Sequence, residues 1–266
     1  MRVGITADRR WEVQAHLLTN LGAEIVHGPV LRTVDLSRDE ALREASLALI
    51  AEAPDWLVAS TGMGITMWLE AADGWGLGEP LRQALRHGRA VARGAKAASA
   101  LRRQGVEVAW KAPSETMDEV VDFLAGRGIT SARVALQLFE PAGHPSTAAL
   151  AARCRELVGV PVYRWVMPDD TGPAGRLVEA ICAGTVDAVT FTSQPAVHHL
   201  FRIAEDIGRA EALRAACNRA VLPVCVGPVC AQAARAEGIA NPRWPDLPRL
   251  AAMVRLVLSV GDPGVG

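Results

Sequence analysis

Short apolar runs alternate with amphipathic stretches along most of the chain. Nine runs rich in β-branched or aromatic residues are typical of buried strands. They are Arg2–Thr6, Glu24–Val30, Trp56–Ser60, Ala90–Arg93, Val106–Trp110, Arg133–Phe139, Val160–Met167, Ala188–Thr192 and Pro223–Val226. Apolar positions that recur every three or four residues predict helices between them, for example over Ala95–Gln104, Thr116–Leu124 and Arg176–Cys182. This alternation predicts an α/β fold in which helices cover parallel sheets.

Two stretches of the first half of the chain recur in the second half. The segment from Asp55 to Thr61 resembles the segment 187–193 at an offset of 132 residues, and the segment 94–105 resembles 227–238 at an offset of 133. Short matches of this kind also arise because all α/β segments share the same alternation of strands and helices. The nearly constant offset, close to half the chain, favours two similar parallel-sheet α/β domains.

Two extended segments with a proline near their start have the character of linkers between these domains. They cover about residues 28–36 and 159–168. Two linkers imply that the chain crosses between the domains twice, so one domain is discontinuous. We therefore predict a domain formed by residues 1–33 plus 168–266 and an inserted domain formed by residues 36–160.

Composition restricts the classes of function. Of the 266 residues, 50% are hydrophobic and 21% charged, which is typical of a globular chain rather than a disordered one. The net charge of -1 gives no support for a nucleic-acid or membrane surface. No apolar run reaches the roughly 18 residues of a membrane helix, and the N-terminus lacks the apolar core of a signal peptide. We expect a cytoplasmic protein.

Cysteine and histidine patterns argue against a disulfide framework or a metal centre. The five cysteines include no CxxC pair, and the six histidines do not cluster at the spacing of metal ligands. Only Lys96 and Lys111 among the 28 basic residues are lysines. Codon bias explains such an arginine excess, and recognition of carboxylate or phosphate groups is the alternative. We predict no metal site.

Polar residues follow two of the predicted strands, at the sheet edge where α/β proteins usually bind ligands. In each case hydroxyl side chains precede a helix start, where hydroxyl and backbone N–H groups bind anions. For either motif alone, a plain helix cap without a ligand is the favoured interpretation. Their equivalent positions in the two predicted domains favour a pair of anion sites. The residues are Ser60, Thr61, Gly62 and Gly64 in the first motif and Thr192, Ser193, Gln194 and Ala196 in the second.

Three further positions are weaker candidates for anion binding. Ser114 is predicted to cap the helix that follows Pro113-Ser-Glu-Thr116, and Lys96 stands at another helix start. Arg9 follows the first strand on the ligand-facing side of its sheet. A plain cap or a solvated side chain explains each of them equally well. The pair Gly62 and Gly64 is not a dinucleotide fingerprint, because Met67 stands where the third glycine would be.

Taken in order, the motifs resemble the uroporphyrinogen-III synthase family in its divergent bacterial form. They are Ala59-Ser-Thr-Gly-Met-Gly, Val91-Ala-Arg-Gly-Ala-Lys-Ala-Ala-Ser-Ala-Leu, Pro113-Ser-Glu-Thr, Val134-Ala-Leu-Gln-Leu, Val162-Tyr-Arg-Trp and Val224-Cys-Val-Gly-Pro-Val. The resemblance implies two α/β domains joined by a two-stranded ladder, with the active site in a cleft between them. It implies a linear tetrapyrrole substrate, hydroxymethylbilane, which loses water and closes with inversion of its last pyrrole ring. It implies no cofactor.

The resemblance also implies roles for particular residues. Tyr163 matches a functionally implicated linker tyrosine of the family. Our hypothesis is that its phenol assists departure of the substrate hydroxyl, and a tyrosine that merely packs between the linkers is the alternative. Substrate carboxylates would meet the helix starts already named, with Thr116 and Gly227 added. Many relatives carry a hydroxyl residue after the Gly-Pro pair, where this chain has Val229. A contact at Val229 would therefore come from backbone N–H.

The expected partners follow from the same resemblance. The substrate is a polycarboxylate, with transient hand-over from hydroxymethylbilane synthase, and we expect a monomer with no nucleic-acid or membrane partner. The alternative function is a non-catalytic two-domain module of this fold that binds a small ligand or serves regulation. Formation of the type III isomer above the spontaneous background separates the two.

Overall fold

The structure is a computed structural model that describes residues 1–138 and 145–261. Phe139, the last residue of one predicted strand, lies outside them. The strands are β1 (Arg2–Ile5), β2 (Glu24–His27), β3 (Arg32–Asp35), β4 (Trp56–Ala59), β5 (Arg89–Ala92), β6 (Val108–Lys111), β7 (Arg133–Leu138), β8 (Glu156–Pro161), β9 (Tyr163–Val166), β10 (Ala188–Phe191) and β11 (Leu222–Cys225).

Twelve α-helices cover these strands in the described part of the chain. They are α1 (Trp11–Thr19), α2 (Glu40–Ala51), α3 (Gly62–Gly74), α4 (Gly78–His87), α5 (Ala95–Arg103), α6 (Met117–Ala125), α7 (Pro145–Ala151), α8 (Gly172–Cys182), α9 (Gln194–Asp206), α10 (Ala210–Arg219), α11 (Pro228–Ala236) and α12 (Leu250–Gly261). None of them has the length and apolar character needed to cross a membrane.

The chain forms two compact units. Unit 1 consists of Met1–Thr33 with Val166–Gly266, and unit 2 is the continuous segment Val34–Trp165. The predicted fold class is confirmed: each unit is a parallel sheet covered by helices, one unit is discontinuous, and the linkers form a ladder.

Unit 2 has a five-stranded sheet in the order β6-β5-β4-β7-β8, with every pairing parallel. The central strand β4 is buried along its whole length, which explains its unbroken apolar sequence Trp-Leu-Val-Ala. Side chains of α2 to α6 complete the core, among them the fully buried Trp68 and Leu101. The indole N–H of Trp68 donates to Ser46 Oγ at 2.8 Å, so the buried ring keeps a polar partner.

Unit 1 has a four-stranded sheet in the order β11-β10-β1-β2, again parallel throughout. This order is that of β5-β4-β7-β8 in unit 2, with the N-terminal strand β1 in the place of β7. Val3 and Ile5 of β1 are completely buried beneath α1 and α12, where they contact a core that includes Met253 and Val257. The repeat found in the sequence thus corresponds to a repeated sheet.

The linker segments differ from their prediction in one respect. The sequence predicts one strand over residues 160–167, but the structure has two, β8 and β9, which separate at Val162. Gly159 to Pro161, assigned to a linker from the sequence, belong to β8 and pair with β7. The two-stranded linker sheet is formed by β3 and β9.

Candidate functional site

The turn from β4 to α3 is built around the buried side chain of Gln137, at the end of the neighbouring strand β7. Ser60 is 2% exposed, and its Oγ donates to Gln137 with 2.7 Å to both the backbone oxygen and Oε1. The Thr61 backbone N–H donates to the same Oε1 at 2.9 Å. The Ser60 hydroxyl therefore links the end of β4 to the neighbouring strand β7, and in this structure it is used for hydrogen bonds within the protein.

Thr61 and Tyr163, which the sequence proposed from separate motifs, are in contact. The Tyr163 hydroxyl donates to Thr61 Oγ1 at 3.0 Å. Tyr163 is only 2% exposed, and its ring meets that of Trp165 edge to face at a centroid distance of 5.4 Å. Thr61 Oγ1 also accepts from the Gly64 N–H at 3.1 Å, so Thr61 is the N-cap of α3.

Gly62 and Gly64 are glycines because the start of α3 is packed closely. A Cβ at Gly62 would overlap the backbone carbonyl of Lys96, and a Cβ at Gly64 would overlap the side-chain amide of Gln137. Neither glycine has a left-handed backbone. Their spacing therefore reflects the close approach of the start of α5 and of strand β7 to the start of α3.

The start of α5 already holds a carboxylate of its own chain. The Ala95 N–H donates to Glu115 Oε1 at 2.9 Å, and Glu115 has a left-handed backbone with φ of 60°. Lys96, the second residue of this helix, is exposed. Glu115 was not proposed from the sequence, and no local pattern indicates that it reaches the start of a different helix.

The predicted cap of α6 was wrong. The N-cap is Thr116, whose Oγ1 accepts from the Glu119 N–H at 3.4 Å, while Ser114 donates its backbone N–H to the Glu119 carboxylate at 2.9 Å. Desolvation acts to raise the pKa of Glu119, but the hydrogen bonds from Ser114 and Thr116 outweigh it and the pKa is lowered. Threonine and glutamate three residues apart form a capping box.

Two helix starts of unit 1, those of α9 and α11, lack a side-chain cap from the residue that precedes them. Ser193 precedes α9 and Gly227 precedes α11, and neither helix start receives a cap hydrogen bond from the side chain of that residue. Pro195 stands in the first turn of α9, as predicted. Thr192 is half-buried, Gln194 exposed and Ala196 completely buried.

Two further candidates in unit 1 are Val229, at a helix start, and Arg9, in a turn. Val229, in the first turn of α11, is half-buried. Arg9 is exposed in the turn after β1, beside Arg10 with its left-handed φ of 57°. Asp8 in the same turn accepts the Thr33 N–H at 3.0 Å.

Gln137 is the site residue to which the sequence assigned no role. It is completely buried, although it lies in the apolar run Val134-Ala-Leu-Gln-Leu. A polar side chain inside a buried strand needs internal partners, and that was the available signal. Among the described residues, no cluster of histidine, cysteine, aspartate and glutamate could hold a metal ion.

A family model described as uroporphyrinogen-III synthase HemD matches residues 12–255. The chain belongs to the uroporphyrinogen-III synthase HemD family. A crystal structure of a mutant uroporphyrinogen III synthase from the extremely thermophilic bacterium Thermus thermophilus is 30% identical, with a TM-score of 0.81 over 98% of this chain and 99% of that one.

Two curated proteins are also similar to this chain. The uncharacterised protein YjjA of Bacillus subtilis (strain 168) is 27% identical over 254 residues, which are 95% of this chain and 93% of YjjA. A putative uroporphyrinogen-III synthase of Methanothermobacter thermautotrophicus is 34% identical over 124 residues, or 47% of this chain and 48% of that protein. The resemblance to the uroporphyrinogen-III synthase family seen in the sequence motifs is therefore confirmed.

Proposed function

We propose that this protein is a uroporphyrinogen-III synthase, which converts hydroxymethylbilane to uroporphyrinogen III and water with inversion of the last pyrrole ring. The match of the family model over residues 12–255 carries the proposal. The paired polar turns after β4 and β10 agree with it, because a polycarboxylate substrate needs hydroxyl and N–H donors at several points.

The chemistry asks the protein mainly for positioning and electrostatic stabilisation. A hydroxymethyl pyrrole expels its oxygen readily, and the resulting azafulvene closes without inversion if nothing holds the chain. The enzyme has to present the substituted carbon of the last ring first, so that closure passes through a spiro intermediate. Such control comes from oriented binding of the substrate rather than from a conventional catalytic array.

Substrate carboxylates are best accommodated at the starts of α9 and α11. No side-chain cap from Ser193 or Gly227 serves these starts, whereas Thr61 and Thr116 cap α3 and α6. Because the side chain of Val229 has no hydroxyl group, a substrate carboxylate at this position would bind backbone N–H groups in the first turn of α11. Arg9 and Lys96, both exposed, supply positive charge.

Tyr163 is the proposed acid. Its phenol gives a proton to the departing hydroxyl as the C–O bond breaks, and water leaves. The phenolate recovers a proton when the last ring loses one on regaining aromaticity, so the cycle balances. Acid assistance of this kind contributes about 10²–10⁴-fold to a rate. Tyr163→Phe is therefore expected to lose most type III formation, and unchanged turnover would remove the role.

The deciding experiment is an isomer assay on hydroxymethylbilane. Uroporphyrinogen III in excess over the spontaneous type I product supports the synthase. Type I product alone would indicate a non-catalytic binding or regulatory module of the same fold. Boiled protein gives the spontaneous background.

We also propose that the protein works as a cytoplasmic monomer that receives its substrate from hydroxymethylbilane synthase. The mass by size exclusion with light scattering tests the monomer. The hand-over is tested by coupling the protein to the preceding synthase. The coupled reaction should be faster, or should lose less substrate to spontaneous closure, than the reaction with free substrate.

A further inference from the structure

Gln137 lies at the base of a hydrogen-bonded chain that ends at Tyr163. Its Oε1 accepts from the Thr61 N–H at 2.9 Å and from Thr61 Oγ1 at 3.3 Å, and it lies 2.7 Å from Ser60 Oγ, whose one proton is shared with the Gln137 backbone oxygen. Its Nε2 donates to the Leu138 carbonyl oxygen at 2.7 Å. A backbone donor on one side and a backbone acceptor on the other determine the orientation of this amide, so its oxygen must face Thr61.

The Thr61 hydroxyl has no capacity left. A hydroxyl has one proton to donate and two lone pairs. The proton goes to Gln137, while the lone pairs accept from the Gly64 N–H at 3.1 Å and from the Tyr163 O–H at 3.0 Å. Thr61 can therefore offer Tyr163 only an acceptor.

We infer that Gln137 is a positioning residue for Tyr163: by taking the Thr61 hydroxyl proton, it fixes Tyr163 as the donor in the Tyr163–Thr61 hydrogen bond. The inference rests on the proposed synthase function for its catalytic meaning. A phenol held as a donor keeps its proton until a substrate oxygen replaces Thr61 as acceptor. A phenolate formed by proton transfer receives no hydrogen bond from Thr61, so it recaptures a proton readily.

Packing at the helix start agrees with this role. Gln137 is completely buried, and its amide lies so close to Gly64 that no Cβ fits there. The amide, the cap of α3 and the tyrosine hydroxyl therefore form one closely packed, hydrogen-bonded assembly. Such support from surrounding groups keeps a reactive side chain in its productive geometry.

The first test needs no substrate, because Tyr163 is the only tyrosine of the chain. Its ionisation can be followed by the near-ultraviolet absorbance of phenolate, with Tyr163→Phe as the blank. In Gln137→Met the Thr61 proton is free to turn towards the phenolate, which favours the charged form. The midpoint pH of Tyr163 ionisation is expected to fall in Gln137→Met relative to the unsubstituted protein.

A matched control comes from unit 1. Gln14 is equally buried, at 1% exposure, and its Nε2 donates to the hydroxyl of Thr190 at 2.7 Å. Gln14→Met therefore makes the same chemical change beside a threonine, and it should leave the Tyr163 midpoint unmoved. Gln137→Glu retains an acceptor for Thr61 and should not shift the midpoint downward, which keeps the test usable if Gln137→Met folds poorly.

The second test is the isomer assay. In Gln137→Met we expect kcat for uroporphyrinogen III to fall about tenfold, as loss of one well-placed hydrogen bond implies, with KM little changed. The inference about Gln137 would be overturned, and the synthase proposal kept, by one combination of results. In it the unsubstituted protein forms type III product, while Gln137→Met has an unmoved midpoint and an unchanged kcat. No type III formation in any form would overturn the synthase proposal, and the titration would still decide whether Gln137 orients Tyr163.

Discussion

Arg2 and Asp187 exchange two hydrogen bonds although 185 residues separate them in the chain. The Arg2 N–H donates to Asp187 Oδ2 at 2.6 Å, and the Asp187 N–H donates to the Arg2 carbonyl oxygen at 2.8 Å. Arg133 and Asp55 repeat both bonds in unit 2, at 2.7 and 2.9 Å. In each unit an aspartate before a central strand therefore fastens it to the neighbouring strand.

Replacement of these aspartates is expected to weaken each unit separately. Asp55→Ala or Asp187→Ala removes a carboxylate acceptor from a backbone N–H, which should lower the free energy of unfolding by about 1 kcal/mol. Urea unfolding followed by circular dichroism measures the change. Asp122→Ala, at an exposed position of α6, is the control and should have little effect. An equal loss in all three variants would contradict the role assigned to the two aspartates.

Two glycines of α3 should respond in opposite directions to the same substitution. Gly64→Ala drives a Cβ into the Gln137 amide and should destabilise the protein by about 1–3 kcal/mol, with reduced type III formation. Gly74, at the other end of α3, has no atom within 4 Å of the position that a Cβ would take and an ordinary helical backbone. Gly74→Ala should stabilise the protein by about 0.5 kcal/mol. Thermal unfolding and the isomer assay distinguish the two, and similar behaviour would refute the packing explanation.

Unit 2 should fold when expressed alone as residues 34–165. All five strands of its sheet and its core come from this continuous segment. We expect a cooperative urea transition and native-like circular dichroism from the fragment. A matched fragment of residues 166–261 lacks β1, a central strand of the unit 1 sheet, and should not unfold cooperatively. A molten or insoluble 34–165 fragment would show that unit 2 depends on unit 1.

The ion pair between Arg82 and Asp73 should contribute to acid stability. Two hydrogen bonds of 2.7 Å from the guanidinium lower the pKa of Asp73, against a smaller opposing desolvation and with help from charge attraction. Because the folded-state pKa lies below the unfolded one, the stabilisation is present above the ordinary aspartate pKa of about 3.9 and disappears as the pH falls through the folded value.

Arg82→Gln should therefore flatten the loss of stability below about pH 4. Asp73 is half exposed, so the effect is modest. Urea unfolding at a series of pH values measures it. Arg86→Gln is the comparison: it removes one hydrogen bond to the more exposed Glu79 and one to the Gln104 carbonyl oxygen, which does not titrate, and it should change the acid branch less. An acid branch that Arg82→Gln leaves untouched would rule out the pair as a source of acid stability.

Sequence patterns located most strands because buried parallel strands are continuous apolar runs. The prediction of a single strand from Val160 to Met167 was wrong because β8 and the linker strand β9 are both apolar. Hydropathy does not reveal that the pairing partner changes at Val162. For the same reason the sequence predicts Gly159 to Pro161 as the start of the linker, although these residues belong to β8.

The site was predictable only where it is local. Ser60, Thr61, Gly62 and Gly64 belong to one turn and could be found as a motif. Gln137 lies 77 residues from Ser60, and its role depends on β7 being the neighbour of β4, which no local pattern states. Ser114 and Thr116 both precede the same apolar helix, and Glu119 was the signal that favoured Thr116 as the cap.

The position of β1 between β10 and β2 has a consequence for biosynthesis. β1 is translated first, yet its partner β10 begins only at Ala188, after all of unit 2. β1 can pair with β2 early, but it waits for its other neighbour β10 while unit 2 can already complete its sheet, since domains generally fold as units during synthesis. A released chain that ends before residue 188 should carry a folded unit 2 together with an N-terminal arm that proteases and chaperones can still reach.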